Sequence, residues 1–219
     1  MPLLKFAAAA LAAVVFVGPA SAGPGQAEAC PTLRIEPTAG GSIFYIKNTS
    51  AQALTAYLIE LVDYPGSSFS YWQDVPDAAP VAPGAEVRKN ISNMTVGAVP
   101  DYVKMQAAIY ADGSTACIPE KVTQLMERRR ATLAAVRELI GRFEKAQSKD
   151  AVAADLKQWS DSLPQLSKVA ARSQAGINQD ATRLMIRKAA SRLESEPADQ
   201  VLAELRALER AMAASKPAL

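Results

Sequence analysis

The hydrophobic pattern of this chain changes period at Pro119. Before it, short segments alternate polar and apolar residues, or run as β-branched and aromatic stretches between turn signals; after it, apolar residues recur every three or four positions. A period of two belongs to strands and a period near 3.6 to helices. The chain therefore divides into a β unit and a helical unit, an α+β arrangement. Composition follows the same boundary. Nine of the eleven aromatic residues beyond position 22 precede residue 119, including all six tyrosines, whereas residues 119–219 hold 20 alanines and only two glycines. Residues 23–118 carry five Lys/Arg against nine Asp/Glu, a net of −4, and residues 119–219 carry 18 against 13, a net of +5.

In the β unit, Thr32 to Glu36 (TLRIE) alternates as a half-buried strand does, and Gly40-Gly41 marks a turn. Ser42 to Lys47 (SIFYIK) is rich in β-branched and aromatic residues. Asn48-Thr49-Ser50 is turn-like, and Ala53 to Val62 (ALTAYLIELV) is mostly apolar, which predicts a central strand. Pro65-Gly66-Ser67-Ser68 opens a long loop that carries Tyr71-Trp72, and Pro80 to Gly84 is a turn. Glu86 to Ile91 and Tyr102 to Tyr110 are further strands. Ala111-Asp112-Gly113-Ser114 is a tight turn with Gly113 suited to positive φ, and a short last strand reaches Cys117. Six or seven strands at this spacing predict an antiparallel sandwich over residues 30–118.

The helical unit opens at Pro119, acceptable in a first turn, with Glu120 near the helix N-terminus. Val122, Met126, Arg129, Leu133, Val136, Ile140 and Phe143 form an apolar stripe interrupted once, by Arg129, and imply a helix of about 27 residues. A second helix follows Asp150 and carries Val152, Leu156, Trp159 and Leu163 on one face until Pro164 ends or kinks it. Leu166 to Ala175 is a possible continuation, and Gly176-Ile177-Asn178 reads as a break before a third helix over about 179–195. Ser195-Glu196-Pro197 starts the last helix, striped by Val201, Leu202, Leu205, Leu208 and Met212. Three or four helices with short connections are expected to pair as antiparallel hairpins or to pack on the sandwich.

Residues 1–22 read as a secretory signal peptide: Lys5, the apolar run of 12 residues from Phe6 to Val17, the Gly18-Pro19 break and the small-x-small Ala20-Ser21-Ala22. A membrane anchor needs about 20 apolar residues, and a lipoprotein reading at Cys30 lacks the aliphatic residue before the cysteine. Residues 23–29, with Gly23-Pro24-Gly25, are a linker. The Ala-rich signal suggests a bacterial protein that is exported, periplasmic or extracellular. No transmembrane segment is expected after signal cleavage. An oxidising compartment favours a Cys30–Cys117 disulfide over two free thiols. The two cysteines flank the first and last strand-like segments, and a CxxC redox pair is absent.

The run SIFYIKNTSAQALTAYLIEL and the VAPGAEV and AIYADGS turns resemble small Ig-like β-sandwich modules of uncharacterised exported bacterial proteins. The resemblance covers about residues 32–115 and leaves the helices outside. It implies an Ig-like sandwich with its first and last strands close together, which suits a Cys30–Cys117 bridge, and it transfers no catalytic residue.

With no histidine, the chain cannot build a Ser-His-Asp triad, a Cys-His dyad or a His-ligated zinc or haem site. Two cysteines cannot hold a Cys₄ site. No G-x-S-x-G, Walker or G-x-G-x-x-G motif occurs, and Ser148-Lys149 and Ser167-Lys168 lack the S-x-x-K spacing. No catalytic residue, metal ligand or cofactor is therefore expected. Glu60, Asp63, Asp74, Asp77, Glu86, Asp101 and Asp112 show no spacing specific to a glycosidase pair. Two candidate contact regions remain. Tyr64, Phe69, Tyr71 and Trp72 form an aromatic binding loop, or else cap the end of the core. Arg128, Arg129 and Arg130 form a basic face, or else a solvated one balanced by Glu127, Glu138 and Glu144.

The leading expectation is an exported, non-catalytic binding or structural protein of the cell envelope, with a protein or glycan partner and no nucleic acid. The alternatives are a carboxylate-dependent enzyme acting on cell-wall or glycan polymer and a periplasmic chaperone or inhibitor that uses helix faces.

Overall fold

The computed structural model of the protein describes residues 29–64, 67–75, 78–92 and 100–218. The expected signal peptide, most of the expected linker, Pro65-Gly66 and Asp77 lie outside them. Among the described residues are strands β1 (Thr32–Thr38), β2 (Gly41–Lys47), β3 (Leu54–Leu61), β4 (Ser70–Gln73), β5 (Glu86–Ser92), β6 (Val103–Tyr110) and β7 (Thr115–Cys117). Helices α1 (Pro119–Lys145), α2 (Lys149–Ser162), α3 (Gln174–Ser195) and α4 (Ala198–Ala213) follow. The fold is α+β: an antiparallel two-sheet β region, then four helices packed together.

One sheet has the order β1-β2-β5 and the other β4-β3-β6-β7, with every pairing antiparallel. Phe44 and Ile46 from the first sheet meet Leu54, Tyr57, Ile59, Val103, Ala108 and Tyr110 from the second. Phe69 and Tyr71 complete this core through edge-on contacts with Phe44, at 6.0 and 6.4 Å between ring centroids. β3 and β6 are buried on both faces because α1 lies on the outside of their sheet, where Ala56, Leu58, Ala107 and Ile109 pack on Leu125 and Met126. This double cover is why β3 is apolar nearly throughout. A register irregularity lets β6 serve both faces: Ile59 pairs with Met105 but Leu58 with Ala107, so Gln106 is the extra residue. An added residue reverses which parity faces inward. The inward set accordingly changes from Val103 and Met105 to Ala108 and Tyr110.

One expectation fails here. Tyr71-Trp72 does not ride on a loop. It belongs to β4, an edge strand that pairs Trp72 with Leu58 and Tyr71 with Ile59. Four residues between turn segments are too few for alternation to stand out in sequence.

Tyr57 lies in the core beside Tyr71, at 6.2 Å between ring centroids. Burial first, and then the Tyr71 hydroxyl beside it, push the Tyr57 phenol above its ordinary value. A folded-state value above the unfolded one, near 10, means that the proton is held more tightly in the folded state. The associated stability is therefore present below about pH 10 and lost as pH rises above it, by up to about 1.4 kcal/mol per pH unit. Urea unfolding between about pH 9 and 11 is expected to show a steeper loss for the natural protein than for Tyr57→Phe. Equal slopes would discount this assignment.

Cys30 and Cys117 are joined, with 5.1 Å between their Cα atoms and 87 residues of separation. The bridge ties the entry to β1 to the end of β7. Tyr110 reinforces it by donating its hydroxyl to Ala29 O at 2.6 Å. Gly113 has φ +95 in the β6–β7 turn, as expected, and Ser114 N donates to Asp112 Oδ1 there at 2.9 Å.

α1 is shared by both units. Val122, Leu125 and Met126 face the sheet, whereas Leu133, Val136, Leu139 and Phe143 join Val152 and Leu156 of α2, Met185, Ile186 and Leu193 of α3, and Val201, Leu205 and Met212 of α4. Ser148 and Ser173 cap α2 and α3 by accepting from Ala151 N and Gly176 N, each at 3.2 Å. The Gly176 cap corrects a second expectation. Gly176-Ile177-Asn178 is not a break but the first turn of α3, and Leu166 to Ala175 does not extend α2: Ala170–Arg172 is a separate 3₁₀ turn. Glycine is required at 176 because a Cβ there would lie 2.1 Å from Ala170 O. The signal that reads as a helix breaker is a close approach between backbones. No helix among the described residues is long and apolar enough to cross a membrane.

Candidate functional site

The aromatic residues read as one loop are distributed over three environments. Phe69 and Tyr71 belong to the sandwich core. Trp72 alternates to the opposite face of β4, packs with the cluster under α1, and lies beneath the Arg128 guanidinium at 5.2 Å from its ring centroid. Tyr64 stays at the surface, 38% exposed, and stacks edge-on with Tyr102, 43% exposed, at 5.6 Å between centroids. Sequence reasoning missed Tyr102 because it reads there only as the start of a strand. It is 38 positions from Tyr64 and comes beside it because β3 and β6 are antiparallel, Val62 N donating to Tyr102 O at 2.8 Å. Asp63, between β3 and Tyr64, has φ 56. This left-handed conformation is one that aspartate tolerates better than most residues, and it turns the chain just before the exposed ring.

Arg128, Arg129 and Arg130 do not share one exposed face. Successive residues on a helix project about 100° apart, so a run of three spreads around the axis. Arg128 is buried against Trp72. Arg130 is exposed and paired with Glu127 one turn back. Arg129 is fully buried. Its Nε donates to both carboxylate oxygens of Asp74, at 3.0 and 2.9 Å, and its Nη2 donates to Oδ1 at 2.7 Å. Its Nη1 donates to Lys216 O at 3.0 Å. The interruption in the α1 stripe thus falls where the helix passes from the sheet to the other helices, and one guanidinium joins α1, the end of β4 and the C-terminal segment.

Other acids are held by neighbours as well. Glu60 pairs with Lys121 at 2.6 Å, a second link between the acidic β unit and the basic helices. Glu86 approaches Arg34 at 3.9 Å. Asp112 is held below the usual carboxylate range first by the Ser114 hydroxyl and then by the Ser114 amide. Arg142 pairs with Glu138, as its spacing predicts, and also with Asp155, each at 2.9 Å. Among the described residues no group of three or more Cys, Asp or Glu side chains is placed to hold a metal ion.

The chain was compared with protein-family models, with curated proteins and with solved structures, and none of these matches it.

Proposed function

We propose that this chain is an exported binding protein of the bacterial cell envelope. An Ig-like sandwich would present Tyr64 and Tyr102 to a protein or glycan partner, and the helical region would brace it. The exposed tyrosine pair carries the reading. Two large rings kept at the surface of a unit whose other aromatics are buried or half-buried offer apolar area with a polar hydroxyl tip, a combination suited to stacking on sugars or anchoring a protein contact. The strand orders β1-β2-β5 and β4-β3-β6-β7 support the Ig-like description. The signal-like N-terminus and the disulfide support export.

No observation favours the alternatives. The large apolar side chains exposed among the described residues are Tyr64, Tyr102, Ile118 and Val169, and none belongs to the apolar stripe of a helix. Of the acids of the β unit, Glu60 is paired with Lys121, Asp74 with Arg129, and Asp112 accepts from Ser114.

The test uses the mature chain in two assays: co-sedimentation with insoluble peptidoglycan, and chemical cross-linking to envelope protein extract. Tyr64→Ala/Tyr102→Ala is expected to weaken the productive assay about 5-fold or more, from roughly 0.5–1.5 kcal/mol for each of two aromatic contacts, with unchanged thermal stability. Undiminished binding by the double variant, or no binding by the natural chain in either assay, would refute the proposal.

A further inference from the structure

Tyr64 and Tyr102 stand where the pairing of β3 with β6 ends. Leu61 faces Val103, and Val62 N donates to Tyr102 O at 2.8 Å. The next positions outward, one on each side of the ladder, are Asp63 and Asp101. Each is the chain neighbour of one exposed ring, and both are exposed themselves. Among the described residues, neither carboxylate takes part in an ion pair or a hydrogen bond. The nearest cations in the register serve another acid: Lys104 faces Glu60, and Lys121 pairs with Glu60 at 2.6 Å.

Like charges opposed across two antiparallel segments repel, and a cation placed beside both removes the repulsion. The rings favour the same ligand. They meet at 68° with 5.6 Å between centroids, so they enclose a corner rather than a platform. A sugar stacks along one flat ring face, which the second ring here obstructs. A compact cation instead reaches two π-faces at once, at the distance of about 6 Å or less over which a ring attracts a cation. The β unit as a whole adds a bias of the same sign. Residues 23–118 carry nine Asp/Glu against five Lys/Arg, and such an excess draws cations from beyond contact distance.

We propose that the Tyr64–Tyr102 corner, flanked by Asp63 and Asp101, takes a basic side chain of a protein partner. This rests on the reading that the two rings contact a partner, and it chooses the protein over the glycan. The ring faces hold the apolar stem and attract the charge at its tip, while the two carboxylates neutralise that charge. Lysine suits the corner because its ammonium is a compact point charge on a flexible four-carbon stem. The partner surface around the inserted residue should be basic as well, since complementary charges at the rim speed encounter. Binding should weaken as salt rises, because the site is exposed and its charges are screened.

Chemical-shift titration of the mature chain by NMR tests this. The probe is a blocked pentapeptide of alternating glycine and lysine. Its control is the same peptide with both ammonium groups acetylated, and a chito-oligosaccharide serves as the neutral glycan. The lysine peptide should shift Asp63, Tyr64, Asp101 and Tyr102 saturably, and the acetylated peptide should not. Asp63→Asn/Asp101→Asn should weaken the lysine peptide by about 3-fold or more, the effect of losing two exposed ion pairs, with amide shifts elsewhere unchanged. No saturable shift at these residues, equal binding of the acetylated peptide, or shifts with the chito-oligosaccharide in place of the lysine peptide would overturn the proposal. Loss of the peptide in Tyr64→Ala/Tyr102→Ala with none in the asparagine variant would overturn the charge selection alone and leave the rings as a contact. Undiminished binding in the tyrosine variant would overturn both readings.

Discussion

Replacing Arg129 with methionine is expected to destabilise the protein by about 3–5 kcal/mol, because it leaves the Asp74 carboxylate buried without its counter-charge. Asp74 is 3% exposed and loses three charge-assisted contacts at once. Among the described residues, the Val75 amide, at 2.7 Å, remains on it. Lys216 O loses its donor too. Asp74→Leu alone should cost a similar amount, because it strands the guanidinium instead. The pair of changes together, Arg129→Met with Asp74→Leu, should recover much of the loss, since apolar groups of similar volume often replace a buried ion pair without penalty. Urea denaturation of the four proteins closes the cycle. A single-variant loss below about 1 kcal/mol, the range of exposed pairs, would show that the pair is not buried in solution. Because α1 contributes to both cores, helical and aromatic signals should also move together in the natural protein.

Converting Cys30 and Cys117 to serine is expected to cost roughly 4–5 kcal/mol, the chain-entropy value for a closed loop of this length. The bond removes freedom from the unfolded chain across 87 residues. It also holds Cys117 at φ 78, where a non-glycine residue is strained and where the chain turns from sheet to helix. Loss of the bond should therefore loosen the short β7 and the start of α1 before the rest. Unfolding of the serine variant at pH 7, with non-reducing mass spectrometry to show that the natural chain is two hydrogens lighter than its reduced form, checks both parts. A variant as stable as the natural protein would remove the role given to the bond.

Much of the fold is legible locally. α1 spans the 27 residues that its stripe implies, the Gly113 turn sits where the glycine predicts, and β3 is central, as its apolar run requires. The candidate sites are less legible because each depends on a partner distant in sequence. Arg129 interrupts its stripe visibly, but nothing near it indicates Asp74, 55 positions away. Tyr64 gains Tyr102 only through the antiparallel pairing of β3 and β6. Gly176 carries the local signature of a break and the tertiary job of admitting Ala170 O.

The change of period at Pro119 determined that the chain holds a β unit and a helical unit, because periodicity is a property of neighbouring residues and needs no knowledge of the fold. The absence of histidine likewise closes whole classes of chemistry, whatever shape the chain adopts. Only the tertiary structure decided that the two units share one helix and that the lone arginine in the apolar stripe of α1 is buried as an ion pair. Each of these arises when segments tens of residues apart pack together. Burial and pairing are set by what lies across the interface, which no local pattern encodes.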